Sequence, residues 1–320
     1  MGNLTVSVIG KLDYSKAFGK KGTSTDITLY NLKKGENTVT FIEPTRYPDR
    51  LAPLFYACSL AKKAIVVIDE LNATLGESLV MLQCCGIRNG YFVLRNYITP
   101  EKLQPLLKGT ILENYKFIAD DPSVIKEELL AEETQTTSTN EEQTSGIVPV
   151  DHSFSVKGVG PVILGVVANG TIKKHDIMNI LPGNKTTQIR SIQKHDDDFD
   201  SSKEGERVGL ALKNLKIDDL ERGTVLTNDP TVRTSKTISA PASLVKYWKI
   251  PIKLGMVLHV GNWMQVLNCI VESVDDEKNL LKPILTLSLE KEIVYRSGDK
   301  AVLMYLEGGK LRVMGTIKLS

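Results

Sequence analysis

From Ile147 to Leu226 the chain repeats one pattern of apolar and polar positions. Short apolar runs rich in β-branched residues, VILGVV, IMNILP, QIRSIQ and RVGLAL, alternate with Gly, Pro and Asn. Ala168-Asn169-Gly170 reads as a turn signal between two of them. Short strands at this spacing predict an antiparallel barrel or sandwich rather than helices. Residues 231–320 again show only strand patterns: IKLGMVLHVG, WMQVLNCIVESV, KPILTLSLEK, AVLMYLEG and KLRVMGTIKL. Gly308-Gly309 reads as a hairpin turn there, and a second small barrel is predicted.

Residues 1–130 have a different rhythm. LTVSVIG, TVTFIEP, AIVVIDE, GYFVLRN and YKFIAD are continuous apolar runs, which suit a parallel sheet buried on both faces. RLAPLFYACSLAK, ESLVMLQCCGI and SVIKEELLAEE carry helical spacing. Strands alternating with helices predict a doubly wound α/β domain. Residues 131–146, AEETQTTSTNEEQTSG, contain no large apolar side chain and cannot bury a core, so they are expected to be a flexible linker. The domain plan is therefore an α/β domain over 1–130, a linker over 131–146, and barrels over 147–230 and 231–320.

Composition narrows the class without naming it. The 320 residues are 42% hydrophobic and 24% charged, ordinary values for a soluble globular protein. No apolar run is long enough to span a bilayer, and MGNLTVSVIG opens on a strand pattern rather than a signal peptide. A cytoplasmic protein with no membrane partner is the expectation. The net charge of +2 does not advertise nucleic-acid binding, and no DNA partner is expected. Cys58, Cys84, Cys85 and Cys269 show no metal spacing and are expected to be reduced, buried thiols. The acidic run Asp196–Lys203 lacks the glycine and distal glutamate of a Ca²⁺ loop, so it reads as a solvated hairpin tip and no metal site is expected.

An α/β domain followed by two barrels resembles the elongation factor Tu superfamily of translational GTPases. The stretch VDHSFSVKGVGPVILGVVANGTIKKHDIMNILP is similar to that superfamily's second domain, and TQIRSIQ, GERVGLAL and DLERGTVL continue it in register. Within the superfamily the chain most resembles the archaeal selenocysteine-specific elongation factors. The likeness runs through the third domain to Ser320, and the fourth domain of those factors is expected to be missing.

The resemblance implies a degenerate P-loop GTPase-like first domain. The family's phosphate loop GHVDHGKT corresponds to Gly10-Lys11-Leu12-Asp13-Tyr14-Ser15-Lys16-Ala17. Gly10, Asp13 and Lys16 persist as a remnant. The loop glycine is Ser15, and the Mg²⁺-ligating hydroxyl position is Ala17, which has no oxygen to offer. GKKGTSTDITLYN follows at once and resembles the end of the first switch, so the helix that would rest the phosphates on its N-terminus is expected to be absent. The family's DAPGH corresponds to Glu43-Pro44-Thr45-Arg46-Tyr47, and its guanine-reading NKxD to Arg95-Asn96-Tyr97-Ile98, without the carboxylate. Lys16 is then equally a solvated surface lysine. A pseudo-GTPase that is not an enzyme and binds neither GTP nor Mg²⁺ is the expectation.

In the second domain the resemblance implies an aminoacyl pocket at Asp151, His152 and Arg207. A cationic His/Arg pair held by a carboxylate favours an anionic group such as a selenolate. The same residues could equally form a structural ion pair at the barrel rim. Gln193 and Lys203 occupy positions where the family meets the 3′ end of tRNA, although Gln193 is not the usual residue in elongation factor Tu. The function implied is an elongation factor-like protein that binds aminoacyl-tRNA or its 3′ end without hydrolysing GTP. The alternatives are a scaffold that docks on the ribosome or a translation factor without carrying tRNA, and an active GTPase with an unusual site.

Overall fold

The computed structural model describes residues 3–35, 37–133, 145–195, 197–275 and 279–320. The chain divides into two compact units, Met1–Thr139 with Gly309–Val313, and Asn140–Gly308 with Met314–Ser320.

The first unit contains β1 (Asn3–Ile9), β2 (Lys20–Ser24), β3 (Thr28–Lys34), β4 (Asn37–Glu43), α1 (Ala52–Ser59), β5 (Lys63–Ile68), α2 (Ala73–Cys85), β6 (Asn89–Leu94), α3 (Pro100–Leu107), β7 (Lys116–Ile118) and α4 (Pro122–Glu133). They build a seven-stranded sheet in the order β2-β3-β4-β1-β5-β6-β7. The five strands from β4 to β7 are parallel, as their unbroken apolar runs predict. Val6, Val8, Ile65 and Val67 pack against Ile125 and Leu129 of α4, spaced for one helical face. α2 starts at Asn72, whose Oδ1 accepts the Leu75 N–H at 2.9 Å, and stops at Gly86 with φ 73°.

Two edge strands add to the expected parallel sheet. β3 pairs antiparallel with β4, and β2 antiparallel with β3. β2 reads KKGTS and carries no apolar alternation to announce it. Its lysines suit an exposed edge, where charge discourages pairing with other chains. The phosphate-loop stretch ends in a one-turn 3₁₀ segment, Tyr14–Ala17, and β2 begins three residues later at Lys20. The loop is shaped by Gly10, at φ 98°, where an added Cβ would fall 1.9 Å from the Val67 carbonyl oxygen.

The expected linker needs new bounds. α4 continues through Glu133 and the next strand starts at Gly146. Residues 134–144 of that expectation lie outside the described residues.

The second unit opens with β8 (Gly146–Val156), β9 (Gly160–Val166), β10 (Asn169–Lys173), β11 (Ile177–Leu181), β12 (Lys185–Lys194), β13 (Asp197–Phe199), β14 (Ser201–Lys203), β15 (Arg207–Lys213) and β16 (Val225–Thr227). The order β8-β16-β11-β12-β15-β9 closes into a barrel because β9 pairs back onto β8. Val150, Ile163, Met178, Ile189, Leu210 and Leu226 fill its core. The expected turn at 168–170 is shorter than it reads, since Asn169 and Gly170 already pair with β8. The acidic run is more than a tip: β13 pairs with β12 and β14 with β10, while Asp196 lies outside the described residues. A buried Glu206 ties this corner together, accepting from Lys194 Nζ at 2.8 Å and Ser202 Oγ at 2.6 Å.

The last six strands are β17 (Val232–Leu244), β18 (Val257–Asn262), β19 (Gln265–Asp275), β20 (Ile284–Arg296), β21 (Lys300–Met304) and β22 (Val313–Lys318). They form a closed barrel in the order β17-β20-β19-β18-β21-β22. β17 has no counterpart among the strands expected from the sequence, because its exposed half is Thr, Ser, Arg and Lys. Gly308-Gly309 is not a tight hairpin turn but part of a longer connection from β21 to β22. All four cysteines are free thiols; Cys58 and Cys269 are buried as expected, whereas Cys84 and Cys85 are only half-buried.

Candidate functional site

Two constellations carry the candidate chemistry, one at the carboxyl edge of the first sheet and one on the outer face of the first barrel. At the sheet edge, β1 ends in the loop from Gly10 to Ala17, and the parallel neighbour β4 ends at Glu43. Glu43 is 1% exposed, and its two oxygens accept the backbone N–H groups of Asp13 and Ser15, each at 2.6 Å. The loop N–H donors are thus bonded to the chain's own carboxylate. Burial, the largest influence, holds the Glu43 carboxyl above its ordinary pKa despite those hydrogen bonds. Asp13 sits at φ 60°. Its carboxylate accepts the Tyr30 hydroxyl at 2.6 Å and pairs with Lys16 at 2.8 Å. Lys16 is more than half exposed, so of the remnant residues Gly10 and Asp13 shape the loop while Lys16 extends to its surface.

Two further side-chain sets fix the same edge. Arg95 Nε lies 3.0 Å from Asp120 Oδ2 and Arg95 NH1 3.4 Å from Asp69 Oδ1, while the Tyr14 hydroxyl donates to Asp120 at 2.7 Å. This chain of contacts ties the loops after β1, β5, β6 and β7. Tyr47 is half-buried, and its hydroxyl lies 2.9 Å from the Thr74 carbonyl oxygen and 3.1 Å from Glu77 Oε2, sharing one proton between them. Arg312, in the 309–313 segment of the same unit, clasps Glu77 through Nε at 3.0 Å and NH2 at 2.6 Å.

On the barrel, β9 runs between β8 and β15. Arg207 pairs with Val166 and His152 with Leu164, two residues apart on β9, so both side chains project from the outer face. A register shift between Val150 and His152 brings Asp151 to the same place. Arg207 holds both Asp151 oxygens, NH1 on Oδ2 and NH2 on Oδ1 at 3.2 Å. His152 Nδ1 lies 2.5 Å from Asp151 Oδ1. Arg222 Nε donates to the Asp151 carbonyl at 3.1 Å, a partner that the sequence reading did not include. Burial alone would raise the Asp151 pKa; the Arg207 charge and the His152 and Arg207 hydrogen bonds outweigh it and bring the carboxyl down to about 2. With side chains only 5 to 11% exposed, the three residues form a compact ion cluster.

The other two expected residues separate. Gln193 pairs with Gly209, two residues beyond Arg207 on β15, so it shares the outer face with the cluster. Its amide donates to Asp198 at 3.0 Å. Lys203 lies on β14, which joins β10 on the far side of β8. The functional signal the sequence reading missed is the Glu43 contact. A longer carboxylate at the end of β4, opposite a loop that keeps its N–H groups, was its trace. Among the described residues no group of three or more His, Cys, Asp or Glu could hold a metal ion, and no helix is long and apolar enough to cross a membrane.

Comparison with known proteins finds relatives of this chain. Residues 160–227 match the family model for elongation factor Tu domain 2. An uncharacterized protein of Methanocaldococcus jannaschii is 40% identical over the full length of both chains. The selenocysteine-specific elongation factor of the same organism is 23% identical, covering 92% of this chain and 70% of its own. The domain match and this similarity support the translational GTPase superfamily of the elongation factor Tu type. The crystal structure of translation elongation factor SelB from Methanococcus maripaludis in complex with the GTP analogue GppNHp superposes with a TM-score of 0.81 at 21% identity, over 99% of this chain and 79% of that one. The apo form gives 0.79. The superfamily architecture of an α/β domain and two barrels is therefore present throughout.

Proposed function

We propose that this chain is a selenocysteine-specific-factor-like protein that binds aminoacyl-tRNA, or its 3′ end, without hydrolysing GTP. The observation that carries this reading is Glu43, whose carboxylate accepts the Asp13 and Ser15 N–H groups at 2.6 Å. An anionic phosphate at that place would meet a buried carboxylate where it needs donors. Ala17 offers Mg²⁺ no oxygen, and phosphoryl transfer depends on that ion to bridge the phosphates. Arg95, held by Asp69 and Asp120, stands in the stretch that resembles the guanine-reading loop and has no carboxylate for the base. These residues do not fit Mg²⁺ and GTP. On the barrel, Asp151 holds Arg207 and His152 in fixed orientation beside Gln193 on one face, which supports the binding half of the reading.

A scaffold that docks on the ribosome or a translation factor is the second reading. It is favoured by the completeness of the Asp151–Arg207 pair, which has the form of a structural ion pair. Isothermal titration with GTP and Mg²⁺ tests the nucleotide half: no heat at moderate salt is expected, and a micromolar dissociation constant overturns it. Binding of aminoacyl-tRNA without nucleotide tests the other half. Arg207→Ala should weaken it by about 2 kcal/mol, the scale of a charge-assisted hydrogen bond. Unchanged binding, or none in the parent protein together with retained ribosome binding, selects the scaffold.

A further inference from the structure

The first unit holds a cavity of about 280 Å³ whose lining includes neither Glu43 nor Ser15. Its floor is Val8, Ile9 and Val67, at the carboxyl ends of β1 and β5. β1 is the strand at which the winding reverses, with β4 on one side and β5 on the other. In open α/β sheets the crevice at such a reversal, outside the carboxyl ends, is where ligands lodge. One wall is Tyr47, whose hydroxyl is anchored on the Thr74 carbonyl, so that wall is formed in advance.

The charged groups at the lining set the ligand's charge. They are the carboxylates of Asp69 and Glu70 against the single ammonium of Lys11. Asp69 shares Arg95 at 3.4 Å, while Glu70 is exposed and takes a hydrogen bond from the Asn72 side chain. The N-terminus of α2 also lines the cavity and would by itself attract an anion. Asn72 already takes one of its N–H groups, accepting from Leu75 at 2.9 Å, and a carboxylate or phosphate there would face the two acids. The remaining surface is apolar, from Leu12, Pro44 and Leu75.

We propose that this cavity is a binding site for a small organic cation, a protonated amine on a compact apolar body. The body packs against Ile9, Leu12 and Leu75 and the ammonium faces Asp69 and Glu70 at the mouth. The volume holds on the order of ten non-hydrogen atoms at about 30 Å³ each, the share of a water in the liquid. The cavity shares Gly10, Lys11 and Leu12 with the phosphate-loop stretch but includes no residue of the Glu43 contact, and the proposal rests on the reading that this stretch holds no nucleotide.

The test is an NMR titration of the full chain with three probes sharing one body: 2-phenylethylammonium, 2-phenylethanol and phenylacetate. The ammonium should give saturable shifts at the Val8, Val67, Leu75 and Ser78 amides. It should bind at least about threefold better than the alcohol, the size of a partly exposed ion pair, and phenylacetate should not bind. Glu70→Gln should bring the ammonium down toward the alcohol. Leu12→Trp, at an exposed position on the lining, should block both probes without unfolding the chain. Absence of saturable shifts at those amides, equal binding of the three probes, an unchanged preference in Glu70→Gln, or unchanged binding in Leu12→Trp each overturns the proposal.

Discussion

Two buried carboxylates, one in each compact unit, show how differently the same group can be used. Glu43 is 1% exposed and is held by two backbone N–H groups. Asp151 is 4% exposed and is held by Arg207 and His152. Backbone donors satisfy the oxygens of Glu43 but bring no compensating charge, so burial prevails and its pKa stays raised. A guanidinium brings a full charge in fork geometry, so Asp151 is lowered to about 2 although it too is buried. In the first unit an acid stands among donors that this superfamily's loop resemblance assigns to phosphate. In the barrel an acid orients Arg207 and His152 on the outer face.

The largest expected effect is in the barrel. Asp151→Ala leaves Arg207 nearly buried without its partner and should cost about 4 kcal/mol, measured by urea unfolding of the full chain. A cost below about 1 kcal/mol would show that the cluster is hydrated, and the contrast with Glu43 would fail. Glu43→Ala removes the acceptor of two loop N–H groups and should cost roughly 3 kcal/mol. Added pyrophosphate should then raise the unfolding midpoint of this variant and not of the parent. If pyrophosphate stabilises both equally, the carboxylate does not occupy the anion's place.

Acidity separates the two carboxylates by sign. The folded-state pKa of Asp151 lies below its ordinary 3.8, at about 2, so its contribution is complete above pH 4 and is lost as pH falls through 2. That contribution is about 2 kcal/mol, and Asp151→Asn should flatten the unfolding midpoint between those values. Glu43 is shifted upward, so its contribution is present below its ordinary 4.5 and is lost as pH rises through the folded value. Glu43→Gln should flatten a decline on that higher side, and matching slopes in the two variants would contradict the opposite shifts. The smallest effect is expected from Lys16→Ala. Its pair with Asp13 is more than half exposed on both sides, so the urea midpoint should not move measurably.

Much of the fold was legible because its strands keep their own local pattern. The five apolar runs of the first domain all became strands of the parallel sheet, and VILGVV and RVGLAL became adjacent barrel strands. What stayed hidden lacks that pattern. β2 is a polar edge, and α3 carries Pro105 inside a helix of only eight mixed residues. The aminoacyl candidates were legible only through family resemblance, since Asp151 and Arg207 stand 56 positions apart and nothing in their spacing joins them. The Glu43 contact was less legible still. Replacement of the family's aspartate by a longer acid was visible, but not the direction in which that acid reaches.

The sequence by itself determined the two kinds of layer, a sheet buried on both faces and barrels with one face inside. It also determined the absence of the Ala17 hydroxyl. These depend on residue type and on periods of two or 3.6, which survive any arrangement of the elements. Only the tertiary structure decided which acid meets which donor. β4 lies beside β1, and that adjacency carries Glu43 to the Asp13 and Ser15 N–H groups; β8 and β15 flank β9, and that places Asp151 against Arg207. The electrostatic energy of a carboxylate depends on distances of a few ångströms and on the water excluded around it. Distances of that size are set by strand order and register, which no local stretch of the chain encodes.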